Sequence, residues 1–243
     1  MKLRTILKAV AASTSMLLAS SAFSATIDLT YLGYTGGSTS GQIEWSGDTP
    51  PLEARTAFAG LLAYRVDVID GDLPDGVNLN LNDVIEAFCV QLGVRAGSGQ
   101  YELVSGSDYV GMSPGFSADS LELVSKLYKG FHGGVGASLL ERVAFQLAVW
   151  EIVYDAPMLD TDAGNFRIIA DTFMVSGEDA RDRANQMLGA LAGITGGAEL
   201  YVLKSDGKQD IAFIPVAVPE PGVLLLIGSG LLGLGLRRRF RNS

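Results

Sequence analysis

Apolar and polar residues alternate along the first half of the chain, which is typical of half-buried strands. In residues 26–34 (TIDLTYLGY), Ile27, Leu29 and Tyr31 alternate with polar neighbours. Similar patterns predict strands near residues 43–45, 61–69 and 78–82. Residues 84–94 are apolar at most positions, which predicts a central strand covered on both faces.

The middle of the chain has helical spacing of its apolar residues. It predicts helices over residues 120–128 (SLELVSKLY), 138–155 (SLLERVAFQLAVWEIVYD) and 177–191 (GEDARDRANQMLGAL), with a Gly-rich break at 130–136 (GFHGGVG). Ser138 and Glu141 have capping-box spacing, and Pro157 follows the end of that helix.

The chain after these helices predicts a hairpin, AELYVLK and QDIAFIPV around a Ser-Asp-Gly turn. Strands before and after the helices indicate an α+β class. We expect a β-rich sandwich or barrel with a helical subdomain inserted in the middle.

The first 24 residues have the pattern of a secretory signal peptide. Lys2, Arg4 and Lys8 precede a short apolar run, and Ala22 and Ser24 suit a cleavage site after Ser24. The apolar run is much shorter than the roughly 20 residues of a spanning helix. We therefore expect an exported protein whose working domain covers residues 25–214.

Residues 215–243 combine three features in order: a Pro-Glu-Pro motif, an apolar segment and an arginine cluster. Residues 222–236 carry no charge, and at about 1.5 Å per residue they reach about 22 Å, a marginal membrane span. The motif residues are Pro219, Glu220, Pro221, Arg237, Arg238 and Arg239.

This tail resembles a PEP-CTERM sorting signal. The resemblance implies processing by a membrane exosortase, contact with the membrane before processing, and delivery to the cell surface or extracellular matrix of a Gram-negative bacterium. A plain C-terminal membrane anchor is the alternative.

The net charge of the central domain limits the partners that it can bind. Outside the two terminal segments, 11 basic residues stand against 26 acidic ones, a net charge of −15. Phosphate backbones would be repelled, so we expect no nucleic-acid partner.

Cys89 is the only cysteine of the chain and lies within FCVQL. Gln146 lies on the apolar face of a predicted helix, where its amide needs a hydrogen-bond partner or a chemical role. A cysteine thiolate can attack a glutamine carboxamide, release ammonia and leave an internal thioester. Phe88 and Trp150 are candidates to shield that bond from water.

Phe88-Cys89-Val90 and Phe145-Gln146-Leu147-Ala148-Val149-Trp150 resemble the two signatures of bacterial Cys-Gln thioester domains of surface adhesins. The resemblance implies a thioester between Cys89 and Gln146 that attaches the protein covalently to a surface amine or hydroxyl, on a protein or a polysaccharide. It also implies a β-rich subdomain beside a helical one. Many relatives carry Thr at the position of Phe145.

A cysteine hydrolase and a calcium-binding protein are two further alternatives. A cysteine hydrolase would need His132, the only histidine, as the base for Cys89. Calcium would need the acidic loop with Asp67, Asp70, Asp72 and Asp75, which lacks the order of an EF-hand. We regard that loop, and Asp160 and Asp162, as solvated acidic turns, and expect no metal, no cofactor and no enzymatic activity.

A noncovalent function is the remaining alternative. In it, the chain is a structural or polysaccharide-binding matrix protein, and Cys89 is a free thiol buried as a small apolar residue. Glu151 and Tyr154 lie near the site on the same predicted helix, without an assigned role.

Overall fold

The computed structural model describes residues 25–45, 53–113, 116–135 and 138–215, and strands dominate these segments. The strands are β1 (Ala25–Tyr34), β2 (Thr39–Trp45), β3 (Glu53–Ala59), β4 (Leu62–Asp70), β5 (Val84–Cys89), β6 (Gly99–Ser105), β7 (Phe166–Ile168), β8 (Met174–Val175), β9 (Glu178–Asp179), β10 (Tyr201–Lys204) and β11 (Ile211–Phe213).

Six of these strands close into a barrel in the order β1-β4-β5-β11-β10-β6. Every neighbouring pair is antiparallel. Ile27 and Leu29 of β1 and Tyr64 and Val66 of β4 are buried, and their alternation with more exposed neighbours places them inside the barrel. Side chains fill a barrel of this size.

Two smaller sheets accompany the barrel. β2 lies between β3 and β7 in a three-stranded antiparallel sheet, and β8 pairs with β9. The three-stranded sheet includes Trp45 at the end of β2, which reaches the candidate site.

The helices lie between β6 and β10 in the chain. They are α1 (Gly106–Tyr109), α2 (Ala118–Val135), α3 (Leu139–Asp155) and α4 (Ala180–Ala190), followed by a 3₁₀ turn at Leu191–Gly193. Residues 143–153 of α3 are all buried, because α2, α4, β3, β5 and β7 contact this helix from several sides. A helix that is covered around its circumference carries apolar residues on every face.

The predicted α+β, β-rich class is confirmed, and the barrel is the form that it takes. Strands β1 and β4, the capped helix α3 and the closing hairpin lie close to their predicted positions. The Ser138 hydroxyl accepts a hydrogen bond from the Glu141 N–H, while the Glu141 carboxylate pairs with Arg183 of α4.

The strand predicted at residues 78–82 is wrong. Asn80 and Asp83 form a turn in which the Asp83 carboxylate accepts from the Asn80 N–H at 2.8 Å, and Asn82 has a φ of +70°. Asn and Asp side chains that bond to the local backbone favour turns over strands.

Two other boundaries also differ from the sequence prediction. The strand expected over residues 84–94 ends at Cys89, and Gly93 has a φ of +84°, which strand residues do not adopt. A Gly-rich break was expected at 130–136. This prediction is wrong for residues 130–135, because α2 continues through them and ends at Val135.

No helix in the described segments is long and apolar enough to cross a membrane. The predicted signal peptide at 1–24 and the predicted membrane segment at 222–236 lie outside those segments.

Candidate functional site

Cys89 is the last residue of β5 and is 3% exposed. The next residue, Val90, donates its N–H to the Asp210 carbonyl beside β11 at 3.2 Å. Backbone groups of successive strand residues point to opposite sides, so the Cys89 N–H and carbonyl point toward β4. The last residue pair of β4 with β5 is Leu62 with Ala87, which leaves that side of Cys89 open.

The side-chain amide of Gln146 occupies this open side. Its Oε1 accepts from the Cys89 N–H at 2.9 Å, and its Nε2 donates to the Cys89 carbonyl at 2.9 Å. Gln146 lies on α3 and is 1% exposed. The two residues predicted to react are therefore in direct contact, and both polar atoms of the amide are hydrogen-bonded.

The sulfur of Cys89 has two polar neighbours. The indole N–H of Trp150, one helical turn after Gln146, donates to Sγ at 3.3 Å. The thiol donates to the Gln91 carbonyl at 2.9 Å. Burial raises the pKa of the Cys89 thiol to about 12, against the smaller opposing effects of these two hydrogen bonds. At neutral pH the sulfur is therefore a thiol.

Of the two predicted shielding residues, Trp150 lies at the sulfur and Phe88 lies elsewhere in the core. The Phe88 ring packs against Tyr128 and Phe145, with centroid separations of 6.1 and 5.6 Å. Trp150 is 2% exposed and packs edge-on against Phe166.

His132 lies beside aromatic rings of the core. It stacks on Tyr128 with centroids 3.8 Å apart and contacts Phe145 edge-on. Burial lowers the pKa of His132. The described hydrogen bonds of Cys89 go to Gln146, Trp150 and Gln91, and His132 forms none of them.

A cavity of about 570 Å³ lies in front of this pair and includes Cys89, Gln146 and Trp150 in its wall. Tyr31 and Tyr34 of β1 form another part of the wall. The pairing of β1 with β4 shifts between Tyr31 and Gly33, and such bulges bend a strand and redirect its side chains.

Several residues that support the site were not predicted from the sequence. The Gln91 side chain accepts from the Asp210 N–H, and Gln209 donates to the Gln91 carbonyl, so the segment after Cys89 is tied to β11. The Tyr109 hydroxyl donates to the buried Asp210 carboxylate at 2.6 Å. These contacts join distant parts of the chain, so local patterns gave no signal for them.

Glu151 and Tyr154, which lie near the site on α3, form hydrogen bonds with different parts of the chain. The Leu92 N–H donates to the Tyr154 hydroxyl at 2.6 Å, which fixes the segment after Cys89. Glu151 is fully buried, and its Oε1 accepts from the Asp160 N–H at 2.8 Å. Burial, followed by the negative charge of Asp155, raises the pKa of Glu151 to about 8.

In the acidic segment considered for calcium, the Asp67 carboxylate is hydrogen-bonded to neighbouring side chains. Asp67 accepts hydrogen bonds from Thr30 and Arg65, which lower its pKa in that order of effect. Within residues 25–45, 53–113, 116–135 and 138–215, no group of three or more His, Cys, Asp or Glu residues is placed to hold a metal ion.

Residues 217–239 match the family model of the PEP-CTERM protein-sorting motif. The match includes the Pro-Glu-Pro motif and the arginines at 237–239, which lie outside the described residues. No curated protein and no solved structure is significantly similar to the chain. The motif defines an exported protein that transits the membrane and is a substrate for exosortase.

Proposed function

We propose that this chain is a cell-surface or extracellular-matrix protein of a Gram-negative bacterium in which Cys89 and Gln146 form an internal thioester for covalent attachment. The sorting motif supports the exported location. The paired hydrogen bonds between the Gln146 amide and the Cys89 backbone carry the proposal, because they hold a carboxamide against the only cysteine.

Bond formation begins with attack of the Cys89 sulfur on the Gln146 side-chain carbonyl carbon. The C–N bond breaks, the thiol proton passes to the departing nitrogen, and ammonia leaves. The Cys89 N–H, 2.9 Å from Oε1, stabilises the negative charge that develops on this oxygen. The Trp150 N–H stabilises negative charge on sulfur.

Attachment follows when an amine or hydroxyl enters the cavity and attacks the same carbon. An amide or ester then joins the Gln146 side chain to the target, and the nucleophile's proton restores the Cys89 thiol. Burial of Cys89, Gln146 and Trp150 supports this function because it limits hydrolysis of the activated acyl group. Each molecule reacts once, so the protein is not an enzyme.

We assign two finer features to the same proposal. The helices α1–α4 act as a helical subdomain inserted in the β-rich fold, and they bring Gln146 to the end of β5. Phe88 does not reach the sulfur, and we assign it an indirect part, in which its packing against Tyr128 and Phe145 keeps water out of the core beside β5.

The second candidate is a noncovalent structural or polysaccharide-binding matrix protein. One observation favours it: both polar atoms of the Gln146 amide have partners without any covalent bond, so burial alone leaves this side chain satisfied. Cys89 then remains an unreactive buried thiol.

Methylamine separates the two candidates. The thioester protein should incorporate methylamine at Gln146 and expose a free Cys89 thiol, as located by peptide mass spectrometry. Cys89→Ser should incorporate none, and Gln209, a second glutamine of the cavity wall, should remain unlabelled. An unmodified Gln146 amide with a free thiol before treatment would support the noncovalent protein.

A further inference from the structure

We propose that the cavity beside Cys89 and Gln146 selects a carboxylate-bearing glycan, and that a hydroxyl of this glycan is the attacking nucleophile. The cavity wall combines arginine and aromatic side chains around the acyl carbon. The coupling step rests on the proposed thioester, whereas selection of the glycan rests on the cavity itself.

Charge is the first observation. Among the described residues that line the cavity, the charged ones are Arg55 and Arg95, in a domain where acidic residues outnumber basic ones by 15. Both arginines are exposed. Guanidinium groups bind carboxylates with paired hydrogen bonds, so the cavity favours an anionic ligand.

Aromatic surface is the second observation. Tyr31, Tyr34 and Trp45 line the cavity and are half-buried, and Phe58 lines it with 59% of its surface exposed. Arg55 lies over the Trp45 ring, 5.2 Å from its centroid. Flat rings with a polar edge suit sugar rings, which present C–H groups on one face and hydroxyls around their rim.

The same charges argue against a lysine side chain as the nucleophile. A lysine ammonium would meet the positive field of Arg55 and Arg95 and would find no carboxylate among the described lining residues. A glycan hydroxyl carries no charge and is not repelled by the arginines. In a polyuronate, every sugar ring that carries a carboxylate also carries hydroxyls. Its oxygen attacks the Gln146 acyl carbon, the C–S bond breaks, an ester forms, and the hydroxyl proton ends on the Cys89 sulfur.

Binding is tested first in Cys89→Ser, which cannot form the thioester. We expect this variant to bind an oligogalacturonate at least about tenfold more tightly than a cello-oligosaccharide of the same length. Replacing both Arg55 and Arg95 with Gln should remove that preference, and higher salt should weaken it. Arg65→Gln, an exposed arginine of β4 outside the cavity wall, is the matched control. Equal binding of the two sugars, or no effect of the double substitution, would overturn the ligand class.

Coupling is tested in the wild-type protein. We expect a protein–oligogalacturonate adduct that hydroxylamine releases, formed faster than adducts with cello-oligosaccharide or with a lysine-containing peptide. Faster coupling to the peptide, or equal coupling to both sugars, would overturn the proposed nucleophile. If methylamine also fails to react, the thioester and the coupling step fail together, while the binding measurement still decides the ligand class.

Discussion

The contact between Trp150 and Cys89 places a neutral donor on a buried sulfur. The indole N–H is 3.3 Å from Sγ, in a site where burial raises the thiol pKa to about 12. In the proposed thioester reaction, this donor stabilises the leaving thiolate, because hydrogen bonds to developing charge are stronger than neutral ones. We therefore propose that Trp150 contributes this hydrogen bond as well as steric shielding.

Trp150→Phe keeps an aromatic ring but removes this N–H. We expect methylamine to add about tenfold more slowly, because sulfur becomes a poorer leaving group without the donor. The rate is measured by mass spectrometry over time. Trp45→Phe, which changes a ring in the same cavity wall, should have a smaller effect, and equal rates in the two variants would contradict the role of the Trp150 N–H.

Glu151 makes stability depend on pH. Its pKa rises from 4.5 to about 8, because burial and neighbouring Asp155 disfavour the carboxylate. The folded-state pKa exceeds the unfolded-state value, so the protonated side chain supports folding below about pH 4.5. Between about pH 4.5 and about pH 8 the free energy of unfolding falls by about 1.4 kcal/mol per pH unit, and above about pH 8 this support is lost.

Glu151→Gln should remove this dependence. We expect the variant to be more stable than the wild type by a few kcal/mol at about pH 9 and to differ little at about pH 5, in urea unfolding. Glu122→Gln, whose side chain is 66% exposed, is the control and should follow the wild type. A parallel pH profile for Glu151→Gln and the wild type would show that Glu151 ionises normally.

At this residue scale, the sequence predicted the central pair because each member is unusual where it stands. Cys89 is the single cysteine, and Gln146 interrupts an apolar helix face. Gln91, Gln209 and Asp210 hold the segment after Cys89 by hydrogen bonds, but they are ordinary residues that meet only after the barrel closes.

At the scale of elements, close packing explains why glycines misled the sequence prediction. α2 passes through Gly130, where a side chain would stand 2.3 Å from the Ile194 methyl carbon Cδ1. Glycine weakens an isolated helix, but here it lets a neighbouring segment approach. The seven-residue strands β3 and β6 were also missed. The strands β7, β8 and β9 were missed because two or three residues carry too little periodicity to recognise.

Gly41 of β2 offers a direct test of such packing. A Cβ atom there would lie 2.4 Å from the ring of Phe173, which is fully buried. We expect Gly41→Ala to lower the free energy of unfolding by about 1–3 kcal/mol, measured in urea.

Gly189→Ala is the matched control for this substitution. Gly189 lies in α4, and no atom stands within 4 Å of its added Cβ. The change should raise stability by up to about 1 kcal/mol through helix propensity. Equal effects of the two substitutions would contradict the close packing at Gly41.

At the scale of the whole molecule, an acidic domain is joined to a terminal sorting signal. The tail could be read from the sequence because a sorting signal is a linear order of residue types, and the family match covers 217–239. The barrel order could not be read in this way, because β6 and β11 find their partners across long stretches of chain. The sorting motif indicates an exported protein that transits the membrane.

The intact mass of the purified, untreated protein tests the thioester most directly. We expect the wild type to weigh one ammonia less than its sequence requires, and Cys89→Ser to have its full sequence mass. A full-mass wild type, with Gln146 still an amide and a thiol that titrates after unfolding, would contradict the internal bond. Gln146 found as glutamate would instead identify a bond that had formed and then hydrolysed.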